Sequence, residues 1–242
     1  MPGRRLRSAS GAWRWALRRA EVHLIDLQRQ DDVFVITLRA GENRLDVGML
    51  DALGRALDEV EGCEGPLALV TTGEGRFYSN GIDLDWLRRA PAEEAGAFLV
   101  ALDRLLARLL TFPVATVAAI NGHAFAAGAM IALAHDFRVM RLDRGSICLP
   151  QIDLGMPLRP GMVALTQARL SAVAAHEAIV TGRRYAGPDA MSRMIVDEVA
   201  PRDQVLSRAL ERAGSLANKH RGTLVALKRG LYVDVLSILE SS

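Results

Sequence analysis

Two stretches of this chain place small and turn-forming residues between the end of an apolar strand and the start of a helix. VTTG runs into EGRFYSNGIDLDWL (residues 70–87), and VATVAAI runs into NGHAFAAGAM (114–130). Backbone N–H groups at a helix start have no intrahelical partner and point outward, so such a junction offers donors to a developing negative charge. Two junctions from separate strands can aim two N–H groups at one oxygen, an arrangement suited to a carbonyl that becomes an anion. The second junction gathers Ala126, Ala127, Gly128 and Ala129 where bulky core residues are expected. That pattern fits close helix packing, and it also fits a backbone that another molecule must approach. Among ionisable neighbours, His123 lies beside the second junction as a candidate acid or base. The pair His135–Asp136 has no companion metal ligands nearby and reads as a helix end. No serine or cysteine sits in a G-x-S-x-G elbow.

The elements that must position these junctions follow from periodicity. Residues 22–40 alternate as two strands joined at Gln30-Asp31-Asp32, a hairpin, and 49–62 carries apolar residues at helical spacing with a closing glycine. Residues 66–73 form a short buried strand, 93–111 a helix, 113–123 a strand, AGAMIALAHD a helix and 136–150 further strand material. The repeated strand, strand, helix theme predicts an α/β core with parallel elements. From about residue 162 the pattern is mainly helical, with helices over 162–181, 203–219 and 227–240 that cover the core or a neighbouring subunit; in the last, Leu227, Leu231, Val235 and Leu239 form an apolar stripe that, exposed alone, calls for a partner surface. Three units are expected: an Arg-rich extension over 1–20, a core over 21–200 and a helical segment over 201–242.

Composition narrows the partners. The 242 residues, half of them hydrophobic, suffice for one large domain with a substantial core. Thirty basic against 28 acidic residues give a net charge of +2, so no basic field argues for nucleic acid, and small molecules are the expected ligands. The apolar run 114–134 is long enough to raise a membrane span, yet Asn121-Gly122 and His123 interrupt it and its character changes from β-branched to alanine-rich. Strand, turn and helix account for it, and no membrane span is expected. Cys63 and Cys148 are too few and wrongly spaced for a disulfide framework or a metal site, which points to a reducing compartment, the cytoplasm. The first 20 residues are arginine-rich and free of acids; as a presequence they would direct the chain to the mitochondrial matrix, and as a plain extension they carry no address.

Four segments taken in order resemble the signatures of the crotonase, or enoyl-CoA hydratase/isomerase, superfamily: EGRFYSNGIDL (74–84), AINGHAFAAGAMIALAHDFRVM (119–140), LPQIDLGMP (149–157) and EAIVTGRRYAGPDAMSRMIVDEV (177–199). The resemblance spans about residues 22–240 and lies nearest the Δ3,Δ2-enoyl-CoA isomerase-like members. It implies an α/β fold of the ClpP/crotonase type, a spiral of ββα units with a C-terminal helical region used in assembly, and hence a homotrimer or hexamer. It implies an acyl-CoA thioester as ligand, with CoA part of the substrate and no further cofactor. The family's oxyanion donors fall on the N–H groups of Ile82 and Ala127. Such donors contribute about 3 to 4 kcal/mol each in acyl-transfer enzymes. Its CoA arm falls on Asn43, Arg44 and Leu45 and on Arg76, Asn80 and Ile82, where Arg44 and Arg76 are candidate phosphate partners.

The acid–base positions depart from the family. Hydratases carry one glutamate in the helix after the oxyanion turn and a second in a later loop; these positions read Met130 and Gln151. Isomerases of the family have an apolar residue at the first position, which Met130 matches as a substrate-lining residue, but they retain the second glutamate to move a proton between C2 and C4. An amide has no basic pair near neutral pH, so Gln151 cannot take that part. Asp153, two places on, and Glu177, at the start of a helical run, are ionisable residues near the motif that could replace it, although neither matches the family's catalytic position. Two readings therefore stand: an enoyl-CoA isomerase with altered acid–base residues, and a non-catalytic acyl-CoA-binding homologue.

Overall fold

A computed structural model of the protein describes residues 24–241, so the Arg-rich extension lies outside the described residues. The hairpin opens the fold. Strands β1 (Ile25–Gln30) and β2 (Val33–Leu38) pair antiparallel, and Asp31 takes φ 52 in the two-residue turn between them, as tight hairpin turns require. From β2 onward the chain climbs by parallel steps. The short β3 (Arg44–Leu45) leads into α1 (Val47–Glu61), whose start is capped by the Asp46 side chain accepting from the Met49 N–H at 2.8 Å.

The next coil runs β4 (Ala68–Gly73), β5 (Phe77–Ser79), β6 (Gly81–Ile82), α2 (Leu84–Arg89) and α3 (Ala92–Leu110). A third follows as β7 (Ala115–Ile120), β8 (His123–Phe125) and α4 (Ala127–Ala134). The fourth is β9 (Phe137–Arg141), β10 (Ile147–Cys148) and α5 (Pro160–Arg169). Each coil puts one long strand into a six-stranded sheet of order β1-β2-β4-β7-β9-β11 and one or two short strands into smaller sheets, β10-β8-β5 and β3-β6. The strand, strand, helix theme read from periodicity is thus a spiral of ββα units. α4 is apolar on every side and every residue in it is buried, as expected for a helix at the centre of the stack.

The C-terminal half is more broken than its periodicity predicts. The helix expected over 162–181 is two, α5 and α6 (Ala172–Thr181), divided at Leu170-Ser171, where the Ser171 side chain caps the Ala174 N–H at 3.2 Å. α7 (Gly187–Ser192) and β11 (Glu198–Ala200) follow, and β11 extends the main sheet beside β9. α8 (Val205–Gly214) covers the second sheet face, where Ala209, Ala213 and Ala217 meet Val33, Val70, Val117 and Val139. The last amphipathic stretch is α9 (Arg221–Leu231) and α10 (Val233–Leu239), turned at Tyr232. Of the stripe expected on one exposed face, Leu227 and Leu231 are 66% and 73% exposed, whereas Val235 and Leu239 are buried against the chain's own core. A Cβ on Gly161 of α5 would lie 2.5 Å from Leu239, so α10 is docked closely. Among the described residues no helix is long and apolar enough to cross a membrane.

Buried polar groups tie the coils together. His135, fully buried at the end of α4, has Nδ1 2.7 Å from the Ile131 carbonyl, which can only accept, so Nδ1 carries the proton. Nε2 then accepts from the Thr71 hydroxyl at 3.0 Å, and Thr71 accepts from the Tyr78 hydroxyl at 2.6 Å. Burial pushes the His135 pKa down to about 4 from 6.5. A histidine depressed in this way contributes stability that is fully present above pH 6.5 and is lost as the pH falls toward about 4. The expected slope is about 1.4 kcal/mol per pH unit over that window. Urea midpoints measured from neutral to mildly acidic pH check this, with His135→Gln as reference: the difference between the two proteins should shrink as the pH falls, and a difference independent of pH contradicts it.

Candidate active site

The two strand–helix junctions meet. Gly81 takes φ 84, and a Cβ there would stand 2.9 Å from the Phe125 carbonyl and 3.2 Å from the Ala127 nitrogen, so the peptide of β6 passes directly against the start of α4. In the β3-β6 ladder the Asp83 N–H donates to the Leu45 carbonyl at 2.9 Å. Alternation along the strand turns the Ile82 N–H away from β3. Ala127 is the first residue of α4 and its N–H is one of the four without an intrahelical acceptor. It follows Ala126, held at φ 50 and ψ −120, a conformation costly for a residue with a side chain.

The run of small residues has a packing cause as well. A Cβ on Gly128 would come 2.4 Å from the Ser79 carbonyl, so the glycine lets α4 sit on β5. Packing and an accessible backbone, the two explanations open from the sequence, are one feature: seating the helix this deep sets its first amide beside Gly81-Ile82.

The loop that carries Gln151 leaves from beside the start of α4. β10 runs parallel to β8, with Cys148 opposite Phe125, and the Ala126 N–H donates to the Cys148 carbonyl at 3.0 Å. The chain then passes the start of α4 as Leu149-Pro150-Gln151 and turns back through bonds from Asp153 and Met156 N–H to the Pro150 and Gln151 carbonyls. Oε1 of Gln151 is buried with no hydrogen-bond partner. An unsatisfied buried acceptor costs about 1 to 3 kcal/mol, and such atoms concentrate where function demands them. Met130 is fully buried one turn into α4; its sulfur is 3.7 Å from the Thr166 hydroxyl, which donates to the Met162 carbonyl at 2.8 Å. It is an apolar wall.

Of the two candidate carboxylates, Glu177 is engaged elsewhere and Asp153 is exposed. Glu177 accepts from Tyr185 and Arg183 at 3.0 Å and lies 2.6 Å from Arg193. Burial raises its pKa, and the bonds from Tyr185 and Arg183 with the arginine charges outweigh that, holding it below the ordinary carboxylate range. Asp153 packs against Gly182, where a Cβ would fall 2.8 Å from its Oδ2. His123 belongs to the small sheet, between Phe77 and Phe125 and 3.3 Å from the Ser146 hydroxyl. Burial and the charges of Arg76, Arg184 and Arg144 lower its pKa. His135 and Asp136 point into the polar clusters of the core, and no grouping of metal ligands occurs among the described residues.

The residues assigned to the CoA arm divide. Asn43 is buried, with Nδ2 donating to the Phe77 and Tyr78 carbonyls at 3.0 and 3.1 Å and Oδ1 accepting from the Ala40 N–H, so its side chain braces β3 on β5. Leu45 is core. Arg44 and Asn80 both donate to Glu42, at 2.8 and 2.9 Å, on the rim of a cleft of about 340 Å³ lined also by Asp46, Met49 and Asp83. Asp83 and Asp85 further balance Arg44, whereas exposed Arg76 forms no ion pair among the described residues and lies over the Phe77 ring.

Sequence reasoning passed over Asp103. It interrupts the apolar stripe Phe98, Leu102, Leu106 and Leu109 of α3, a carboxylate at a core position, and that break is the signal that could have found it. Asp103 is fully buried, and its Oδ2 receives Nε and Nη2 of Arg159 at 3.0 and 2.5 Å.

Comparison with known proteins agrees with this geometry. The sequence model of the enoyl-CoA hydratase/isomerase family matches residues 28–239. Enoyl-CoA delta isomerase 3 of Arabidopsis thaliana is 32% identical over 225 residues, covering 88% of this chain and 94% of the relative. A probable enoyl-CoA hydratase from Mycobacterium tuberculosis superposes with a TM-score of 0.85 at 30% identity, over 90% of this chain and 92% of its own. Human mitochondrial delta3-delta2-enoyl-CoA isomerase shares the fold, with a TM-score of 0.85 at 23% identity over 90% of this chain and 86% of its own. A spiral of ββα coils whose second and third helix starts meet, matched along nearly its whole length, places this chain in the enoyl-CoA hydratase/isomerase family, on its isomerase-like side.

Proposed function

We propose that the protein binds acyl-CoA thioesters and acts on enoyl-CoA as a Δ3,Δ2-isomerase whose general base has been replaced by Gln151. The observation that supports this reading is the close approach of the Gly81-Ile82 backbone to the Ala127 amide, with a buried Gln151 Oε1 that has no hydrogen-bond partner among the described residues on the loop that leaves the start of α4. The printed name of the Arabidopsis relative supports the reaction class. In this reading the thioester oxygen sits between the two N–H groups and becomes an enolate when a base other than Gln151 takes the C2 proton; the same base returns the proton at C4, moving the double bond. Fixed donors stabilise the enolate more than the thioester carbonyl, which is what lowers the barrier. CoA comes with the substrate, its phosphates meeting the unpaired Arg76 and the Arg44 rim, and no further cofactor enters.

A second reading, an acyl-CoA-binding member without turnover, is favoured by the same residue. Gln151 has no basic pair, Met130 is a buried thioether, and Glu177 is held by two arginines and a tyrosine. Assembly as a homotrimer or hexamer belongs to both readings. Leu227 and Leu231 stand exposed on a groove of about 410 Å³ shared with Phe137 and Leu216, an apolar liability on a lone chain. The free thiols Cys63 and Cys148 suit a reducing compartment, the cytoplasm or the mitochondrial matrix.

Gln151→Glu changes shape little and supplies a carboxylate. A positioned general base contributes about 10²- to 10⁴-fold, so the variant should turn over 3-enoyl-CoA at least about two orders of magnitude faster than the natural protein. Its carboxylate oxygen would occupy a buried site without donors, so the rate should rise with pH through a pKa above the ordinary carboxylate range. Hydration of 2-enoyl-CoA should gain less, because Met130 offers no second carboxylate. Brisk turnover by the natural protein, unchanged in Gln151→Glu, would place the base elsewhere. Light scattering should give three or six times 26.3 kDa, and Leu231→Asp should lower it; a single-chain mass for the natural protein contradicts the assembly.

A further inference from the structure

Arg159 has a fixed place relative to the two amides. α4 and α5 run side by side in the same sense: Met130 meets Thr166, and the Leu133 carbonyl accepts from Arg169 Nε at 2.9 Å, both pairs being 36 residues apart. The same offset sets Ala127 level with Val163. Arg159 precedes Val163 by four residues, so at 1.5 Å per residue it stands roughly 6 Å beyond Ala127, on the side toward which the Ala127 N–H points. A thioester held by that N–H would extend its acyl chain into this region.

The loop that leads to Arg159 is largely apolar, with Asp153 its one charged side chain. Ile152, Leu154 and Met156 are exposed on the loop that joins Gln151 to Arg159, and partly buried Trp86, Leu87 and Leu99 come from α2 and α3. Into this setting the fold brings Asp103, a buried carboxylate whose only partner among the described residues is Arg159. Both bonds go to Oδ2, while Oδ1 of Asp103 is buried without a donor. Burying a carboxylate is expensive, and leaving one oxygen unpaired adds to the cost. What the arrangement achieves is a guanidinium clamped through Nε and Nη2, with Nη1 unbonded to the described residues and open. A plain hydrocarbon tail gives Nη1 nothing; an oxygen on the tail gives it an acceptor.

Resting on the acyl-CoA reading above, we propose that Arg159 is a specificity-determining residue that selects acyl groups carrying an oxygen acceptor a few carbons from the thioester, and that Asp103 is the positioning residue that aims it. The oxygen can belong to a carboxylate or to a hydroxyl. Calorimetry with CoA, a six-carbon saturated acyl-CoA, and esters of the same length bearing a terminal carboxylate or a hydroxyl separates these cases. One oxygenated ester should bind the natural protein at least about tenfold tighter than the plain ester, and which one it is names the source. Arg159→Met should abolish or invert that ratio without changing the affinity for CoA itself. Asp103→Asn should reduce the ratio, which a merely structural aspartate would not do. The double variant Asp103→Leu with Arg159→Met replaces a buried pair by apolar side chains, a change usually tolerated by folding, and should prefer the plain ester. Equal or tighter binding of the plain ester by the natural protein, or a ratio unchanged in Arg159→Met, overturns the inference alone. Failure of CoA and every ester to bind overturns the acyl-CoA reading and this inference with it.

Discussion

The seating of α4 on the backbones of β5 and β6 is the constraint on which the rest of the structure depends. At Gly128 the helix comes so close to Ser79 that a single methyl would stand 2.4 Å from a carbonyl oxygen, and at Gly81 the approach to Ala127 is nearly as tight. Packed interiors do not absorb such overlaps, so the separation of these coils is fixed to within a few tenths of an ångström. That separation sets the relative position of the Ile82 and Ala127 amides, and through the Ala126 to Cys148 bond it brings in Gln151. One packing contact therefore joins three segments that are distant in the chain.

The two ends of α4 are treated in opposite ways. At its C-terminal end the carbonyls of Leu133, His135 and Asp136 accept from Arg169, and His135 also accepts from Arg138 at 3.2 Å. Asp136 in turn holds Lys228 at 2.7 Å, tying α9 to the same corner. Cations and donors there complement the negative end of the helix dipole. The N-terminal end has no side-chain cap. A helix satisfied by its own protein at one end and left open at the other is a preorganised donor, needing no reorganisation when a negative charge forms beside it.

Membership in the family settles the scaffold more firmly than the reaction. The placement of the two amides is a property of backbone that comes with the fold, whereas proton transfer depends on single side chains that the fold tolerates in many forms. Met130 and Gln151 fill their positions without disturbing α4 or the turn after β10, because neither position is held by charge. Chemistry at this site can therefore change by substitution while the spiral persists.

Much was legible in the sequence because it is encoded locally. Alternation gave the hairpin and the sheet strands, helical spacing gave α1 and α3, and the small residues at two strand–helix junctions marked the places where backbone amides are left free. The departures Met130 and Gln151 were visible as residue types alone. What only the tertiary structure decided concerns partners supplied by remote segments. Periodicity could not see the breaks at Leu170-Ser171 and Tyr232, since apolar spacing continues across them while the chain changes direction to stay on the core. Val235 and Leu239 read as an exposed stripe until α5 was found beneath them. Asn43 and Glu177 looked available because most of the groups that claim their polar atoms are not adjacent in the chain; Phe77 and Tyr78, and Tyr185 with Arg183 and Arg193, are brought in by folding. Asp103 and Arg159 lie 56 residues apart, and their pairing exists only because α3 and α5 converge. A hydrophobic pattern specifies which face of an element is buried, but the identity of the neighbour that buries it, and so the fate of every polar group on that face, is a property of the whole chain.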